Sequence, residues 1–176
     1  MDKVIDYVFI DTSVLMQESY FKSTSRIAQL FDLASKGYIK ILLPIITKQE
    51  WIKHIKESTY IKFDDVKRKL QLLGNLPNVL KFVDDFEKST STYANIVVDS
   101  IDTQISNGKV EVIDYSFFSD TLSDVFDKYF KKTKPFGCNG KSKEFPDAFV
   151  LAALEKYAIK HSIDHIDWFR YVIFIY

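Results

Sequence analysis

The sequence predicts an α/β fold in which helices cover both faces of a central parallel sheet. Two observations support this prediction. Apolar segments rich in strand-forming residues alternate along the chain with segments in which apolar residues recur at helical spacing. The strand segments are also almost continuously apolar, which is typical of parallel sheets buried on both faces. The four predicted strands are Val4–Ile10, Ile39–Leu43, Val110–Ile113 and Tyr171–Tyr176.

Five helical stretches are predicted between these strands. They cover about residues 20–36, residues 47–73, a long stretch that breaks near 89–91 and ends at 107–108, residues 117–130, and a helix that starts at Pro146. Gly37 is a typical residue for the end of the first helix. Pro146 suits the first turn of the last helix, because the N–H that proline lacks has no helical partner there. Residues 131–145 are predicted to form a polar loop.

Size, charge and cysteine content narrow the class of protein. A chain of 176 residues suits a single domain over residues 1–176. It carries 24 basic and 24 acidic residues, so nucleic acid would have to bind at a local patch rather than through a long-range field. The single cysteine, Cys138, excludes an internal disulfide, and the sequence shows neither a signal peptide nor a bilayer-spanning segment. We therefore expect a cytoplasmic protein without a membrane partner.

Asp11 is the first candidate site residue, because it directly follows the first predicted strand. At the carboxyl end of a strand in a parallel sheet, a carboxylate faces the crevice in which ligands bind. A second interpretation is that Asp11 forms an Asx turn that caps the following helix. Its position alone does not separate the two interpretations.

Glu50 and Asp147 also have purely structural interpretations. Thr47-x-x-Glu50 matches a capping box, in which the glutamate only returns a hydrogen bond to the threonine backbone, and taken alone this interpretation is the better one. Asp147 lies in the first turn of the last predicted helix, where the helix dipole favours its charge by about 0.5 kcal/mol. Glu144 precedes it by three residues and fits a fourth ligand, a supporting group or, the interpretation we favour, a solvated loop charge.

Taken together, Asp11, Glu50 and Asp147 predict a site for a hard divalent cation. All three are expected at the carboxyl edge of one sheet, and Mg²⁺ or Mn²⁺ prefers several oxygen ligands. No histidine or cysteine cluster competes, because the three histidines are scattered and are interpreted as surface or packing residues: His54, His161 and His165.

Three segments, taken in order, resemble the motifs of the PIN domain family. Residues 7–15 (YVFIDTSVL) are similar to the opening motif, an apolar strand that ends in Asp-Thr-Asn/Ser. Residues 41–50 (ILLPIITKQE) are similar to the second, a strand and a proline followed by a helix that carries a glutamate. Residues 143–149 (KEFPDAF) are similar to the third, in which an aspartate opens a helix, and match a PIN-like subgroup with a Glu-Phe-Pro-Asp-Ala segment. The resemblance spans nearly the whole chain.

The resemblance implies a Rossmann-like, three-layer α/β/α sandwich and a metal-dependent ribonuclease. It implies that Asp11, Glu50 and Asp147 bind Mg²⁺ or Mn²⁺ and catalyse the hydrolysis of RNA phosphodiester bonds. It also implies that Thr12 or Ser13 supports the site through a hydroxyl group.

The C-terminus departs from the family pattern. PIN domains usually carry a further aspartate after the last core strand, but this sequence ends with the predicted strand Tyr171–Tyr176. Asp164 and Asp167 precede that strand and would lie at its wrong end. We therefore expect the chain to be shortened after its last core strand and the site to be one ligand short.

The loop before Asp147 is the predicted contact with RNA. Its basic side chains would hold phosphates and Phe136 would stack on a base, although a solvated loop is the alternative. The lysines concerned are Lys131, Lys132, Lys134, Lys141 and Lys143. The run Lys67-Arg68-Lys69 is interpreted as a hydrated helix face.

Other functions remain as alternatives to the ribonuclease. One is a structure-specific DNA nuclease of the flap type, although the chain leaves no room for the arch and clamp that such enzymes add. Another is a PIN-like scaffold that has lost catalysis and only binds RNA or a protein. A toxin of a toxin–antitoxin pair, a phage-defence nuclease and an RNA-processing factor would look alike. The expected partners are RNA, a protein inhibitor or antitoxin, and a second copy in a homodimer.

Overall fold

The computed structural model describes residues 6–17, 25–72, 77–137 and 144–169. Within these residues four strands form one sheet in the order β3-β2-β1-β4, and every neighbouring pair is parallel. The strands are β1 (Asp6–Ile10), β2 (Ile39–Pro44), β3 (Val110–Ile113) and β4 (Ile166–Phe169). The predicted parallel α/β architecture is therefore confirmed.

In the described part of the chain, six α-helices connect and flank the strands. They are α1 (Thr12–Gln17), α2 (Arg26–Ser35), α3 (Ile45–Gln71), α4 (Pro77–Gln104), α5 (Leu122–Phe130) and α6 (Phe145–His161). A π-helical turn at Ile105–Lys109 links α4 to β3, and two 3₁₀ turns, Tyr115–Phe117 and Ser119–Thr121, precede α5. The helix predicted over 117–130 therefore starts as 3₁₀ turns and becomes α-helical only at Leu122. None of the described helices is long and apolar enough to cross a membrane.

Alternation along the strands divides the core into two halves. Val8, Ile10 and Ile41 pack on one face of the sheet with residues of α2, α3 and α4. Phe9 and Leu42 pack on the opposite face with residues of α6. Because successive side chains of a strand point to opposite faces, continuously apolar strands require helices on both sides. The result is a three-layer α/β/α sandwich.

The end of α2 shows why glycine occupies position 37. Gly37 has φ +70°, and its N–H donates to the Ala34 carbonyl while the Tyr38 N–H donates to the Leu33 carbonyl. This pair of bonds is a Schellman motif, whose left-handed residue is usually glycine. The predicted stop at Gly37 is confirmed.

Replacing Gly37 by alanine is expected to lower the free energy of unfolding by about 1–2 kcal/mol, the cost of a left-handed non-glycine residue. Apart from the glycine and its two chain neighbours, no heavy atom of the described residues lies within 4 Å of the position that the new Cβ would occupy, so the cost comes from the backbone alone. Urea unfolding measures it. Gly37→Asn should lose clearly less, because asparagine tolerates this conformation; equal losses for the two variants would contradict the explanation.

The break predicted in the long helix near 89–91 is wrong, because α4 is continuous. The Ser89 hydroxyl donates to the Asp85 carbonyl and the Ser91 hydroxyl to the Lys88 carbonyl. Such bonds let serine remain inside a helix without opening the backbone. Helical backbone also extends to Lys109, slightly beyond the predicted end at 107–108.

The fourth strand begins earlier in the sequence than predicted. The predicted strand Tyr171–Tyr176 lies outside the described residues, and the described strand β4 pairs with β1 from Tyr7↔Ile166 to Ile10↔Phe169. Asp167 therefore lies inside a strand rather than before one, which corrects the prediction. Its exposed carboxylate is 2.9 Å from Nε2 of His165. A strand at the sheet edge tolerates such a polar residue, whereas the prediction relied on continuous apolar character.

Candidate active site at the carboxyl edge of the sheet

The topology brings three distant segments to one edge of the sheet. Asp11 follows the last residue of β1, and α3, which carries Glu50, starts where β2 ends. The helix α6 leads back to the start of β4, so its own N-terminus lies at the opposite, carboxyl edge of the strands. Asp147 is in the first turn of that helix. This edge is where ligands bind in open α/β sheets.

A cavity of about 60 Å³ lies between these three segments. Its wall combines three carboxylates, two threonine side chains and two apolar residues: Asp11, Glu50, Asp147, Thr12, Thr47, Phe9 and Val150. A site of this volume has room for a few water molecules, and its polar wall can hold them.

Both interpretations of Asp11 apply in the structure. Its Oδ1 accepts a hydrogen bond of 2.8 Å from the Ser13 N–H, and its backbone carbonyl accepts one of 3.0 Å from the Val14 N–H. These bonds start α1, a short helix that lies before the first predicted helical stretch at about residues 20–36. The same carboxylate also lines the cavity. Capping therefore orients Asp11 rather than removing it from the site.

Glu50 is not part of a capping box. Because β2 runs directly into α3, the N-cap position is Pro44, and Thr47 is already inside the helix. The predicted helix start near Thr47 is therefore two residues late. Glu50 Oε2 instead accepts a hydrogen bond of 3.2 Å from Thr12 Oγ1, a contact between residues 38 positions apart. Thr12 thus holds the glutamate towards β1, while Ser13 contributes its backbone N–H to Asp11.

The electrostatics of Asp147 show that the acidic residues act on one another. Burial against the cavity wall raises the pKa of Asp147 above its ordinary 3.8, and the charges of Glu144, Asp11 and Glu50 raise it further. The side chain is exposed on its other side, so water screens part of this effect. The neighbouring carboxylates repel one another, and a bound cation would offset this repulsion.

Glu144 belongs to the same cluster. It occupies the N-cap position of α6, is half-buried, and makes no side-chain capping bond. The charge of its carboxylate raises the pKa of Asp147. Glu144 therefore lies close enough to Asp147 for its charge to act on that carboxylate, and its role in the site stays a prediction.

Comparison with models of protein families matches residues 8–175 to the PIN domain. The chain belongs to the PIN domain family. Comparison with curated proteins and with solved structures gave no match. The resemblance seen in the three sequence motifs is confirmed. Membership of the PIN domain family indicates a nuclease-type function, and PIN domains generally use divalent metal ions.

The side chains of this PIN domain have suitable chemistry for such an ion, although they do not form a complete ligand set. Among residues 6–17, 25–72, 77–137 and 144–169, no group of three histidine, cysteine, aspartate or glutamate side chains is arranged to hold a metal ion. One oxygen of Asp11 and one of Glu50 already accept hydrogen bonds within the protein. The cavity wall offers carboxylate oxygens, which suit Mg²⁺. This ion usually keeps several waters and takes only one or two carboxylates directly.

The predicted base-stacking role of Phe136 is wrong, because the side chain is only 2 % exposed. Its ring centroid lies 5.2 Å from that of Tyr129 and 4.8 Å from that of Phe145, so the three rings form a small core between α5 and α6. Of the predicted phosphate contacts, Lys134 is exposed, whereas Lys141 and Lys143 lie outside the described residues. Lys131 is also exposed, at 2.8 Å from Asp127.

Sequence reasoning missed Thr47 as a residue of the cavity wall. The capping-box pattern assigned it to the helix start, whereas it is buried beside the carboxylates. A usable signal was present, since Thr47 and Glu50 are three residues apart and share one face of a helix.

Proposed function

We propose that this PIN domain is a metal-dependent endoribonuclease that hydrolyses phosphodiester bonds of RNA. The main support is that three carboxylates from segments far apart in the sequence line one small cavity at the carboxyl edge of the sheet. Carboxylates that served only as helix caps would not be expected to line the same cavity.

Asp11, Glu50 and Asp147 would hold the cation, Mg²⁺ or Mn²⁺, with one or two carboxylates binding it directly and the others through water. When bound, such an ion lowers the pKa of water and neutralises charge that develops on the phosphate. Thr12 orients Glu50, and the Ser13 N–H orients Asp11, so that both carboxylates keep their direction when substrate enters. Glu144 adds negative charge beside Asp147.

The reaction is the attack of water on the phosphorus atom. A site carboxylate takes one proton from the water as the water oxygen forms a new bond to phosphorus. The bond from phosphorus to the leaving ribose oxygen breaks, and that oxygen receives the proton. The protein's own contribution is to place the water and the phosphate in line within a fixed group of charges.

The test is cleavage of a single-stranded RNA with Mn²⁺, with and without chelator, by the wild type and by Asp11→Asn. Asparagine keeps the shape of the side chain and an acceptor for the Ser13 N–H but removes the charge. We expect the variant to lose activity by at least about 100-fold, since an oriented charge at the reacting centre contributes several kcal/mol. Equal activity of the two proteins would exclude the proposed mechanism.

The RNA preference and the partners stay predictions. A branched DNA tested beside the RNA separates the ribonuclease from the structure-specific DNA nuclease. The protein inhibitor or antitoxin, the homodimer, the cytoplasmic location and the role as toxin, defence nuclease or processing factor also stay predictions.

A catalytically inactive PIN-like binding module is the second candidate. This candidate is favoured because, within the described part of the chain, no three histidine, cysteine, aspartate or glutamate side chains are arranged to hold a metal ion. Calorimetric titration with Mn²⁺ discriminates the two, because an inactive site would bind no metal even at millimolar concentration.

A further inference from the structure

Thr47 occupies an unusual position for a polar side chain. It lies in the first turn of α3, is only 2 % exposed, and lines the cavity together with the three carboxylates. Glu50 follows it three positions later, so the two side chains share one face of the helix. The threonine therefore borders the space in which the proposed chemistry takes place.

No hydrogen bond from the Thr47 hydroxyl is present within the described part of the chain. Inside a helix, threonine often bonds to the carbonyl four residues earlier. For Thr47 that residue is Leu43, which belongs to strand β2 and not to the helix. The hydroxyl lines the cavity, where an ordered water can serve as its partner.

The cavity is the place from which that partner would come. Its volume has room for a few water molecules. An ionised carboxylate accepts hydrogen bonds but has no hydrogen to donate. A hydroxyl can accept a hydrogen from a water and donate its own hydrogen to a carboxylate, so it can hold the water without adding a negative charge. The other threonine of the cavity, Thr12, already donates to Glu50.

We propose that the Thr47 hydroxyl is a positioning residue for the attacking water. The water donates one hydrogen to a site carboxylate and the other to Thr47 Oγ1, which leaves its lone pairs facing the phosphorus atom. The carboxylate then takes the first proton while the new oxygen–phosphorus bond forms, and this proton passes to the leaving ribose oxygen. The proposal rests on the proposed ribonuclease function and names a residue that this function does not require.

Three variants test the role of Thr47 in Mn²⁺-dependent RNA cleavage. Thr47→Val keeps the shape and removes the hydroxyl, whereas Thr47→Ser keeps the hydroxyl and removes the methyl group. The matched control is Thr59→Val, since Thr59 is a second buried threonine of α3, 4 % exposed, outside the cavity wall. We expect Thr47→Val to lose about 10- to 100-fold in kcat with KM within about twofold, the size of effect that a misplaced reactant produces. Thr47→Ser should keep most of the wild-type kcat, and Thr59→Val should equal the wild type.

Two results would overturn the role of Thr47: wild-type kcat for Thr47→Val, or a Thr47→Ser variant as defective as Thr47→Val. Calorimetric titration with Mn²⁺ in the absence of RNA provides a second measurement. The water held by Thr47 would be a ligand of the bound ion, and outer-shell partners of metal ligands contribute about 10- to 100-fold to metal affinity. Thr47→Val should therefore bind Mn²⁺ at least about tenfold more weakly than Thr59→Val. If the wild type binds Mn²⁺ but cleaves no RNA, only the ribonuclease assignment fails and this titration decides on Thr47. Equal affinities, or no Mn²⁺ binding by the wild type, would overturn the inference.

Discussion

Replacing Asp147 by asparagine is expected to abolish metal-dependent RNA cleavage and, at the same time, to stabilise the metal-free protein at neutral pH. Three other carboxylates act on Asp147, so it stands at the centre of the acidic cluster. We expect a loss of about 1,000-fold in kcat, the upper range for one electrostatic contact at a reacting centre. Without metal, the same charge only repels its neighbours, and its removal relieves that repulsion.

The pH dependence gives the sign of the stability effect. Because the folded-state pKa of Asp147 is raised, the folded protein binds more protons than the unfolded chain between 3.8 and the raised value. The contribution of Asp147 to stability is therefore lost as the pH rises through the folded-state pKa. With chelator at pH 7, Asp147→Asn should melt about 1–3 °C above the wild type, a small gain because the side chain is partly exposed. The gain should shrink as the pH falls towards 3.8.

Asp124→Asn is the matched control for this experiment. Asp124 is also an exposed aspartate in the first turn of a helix, α5, but it lies outside the cavity. Its removal should leave the melting temperature unchanged or lower it slightly, since only a favourable interaction with the helix dipole is lost. Addition of Mn²⁺ should raise the melting temperature of the wild type and of Asp124→Asn, but much less that of Asp147→Asn. A destabilised metal-free Asp147→Asn protein would argue that Asp147 serves mainly as a helix cap.

Replacing Phe136 by alanine is expected to lower the free energy of unfolding by about 3–5 kcal/mol, the usual cost of removing a buried phenylalanine. Phe136 packs with Val125 and Ala148, so it joins α5 to the start of α6. For a domain of this size the loss corresponds to roughly 10 °C in melting temperature. Because α6 carries Asp147, metal binding should weaken together with the fold.

Phe130→Ala is the control for the aromatic core. Phe130 is 73 % exposed and contacts Phe126 and Tyr129 at the surface, so its removal should cost less than about 1 kcal/mol. Phe136→Leu should retain most of the stability and leave RNA affinity unchanged. Loss of RNA affinity in a fully folded Phe136→Leu protein would instead support the stacking role that the loop sequence suggested.

Local sequence patterns predicted the mostly apolar strands and the end of the first long helix. The strands β2 and β3 are mostly apolar, with one charged residue each, Lys40 and Glu111, and their predicted bounds agree with the structure to within one residue. Gly37 ended its helix as predicted, since its backbone geometry is a local property. The strand β4 was misplaced because the charged Asp167 interrupts Ile166–Phe169, whereas the sequence of residues 171–176 is continuously apolar. The helix α1 was missed because its six residues have no clear period.

The sequence by itself determined the α/β class, the PIN domain motifs and the positions of Asp11, Glu50 and Asp147 at the predicted edge of the sheet. These features depend on the residue types and on the hydrophobic periodicity within a single segment. The tertiary structure decided which groups share the cavity and which are buried. The spacing of Thr47 and Glu50 fits a capping box and a helix interior equally well, and only the direct passage of β2 into α3 excludes the box. Phe136 stands in a polar loop, and its burial results from two helices that pack around it. Burial and the distance between charges are set by segments far apart in the chain, so a local pattern carries no information about them.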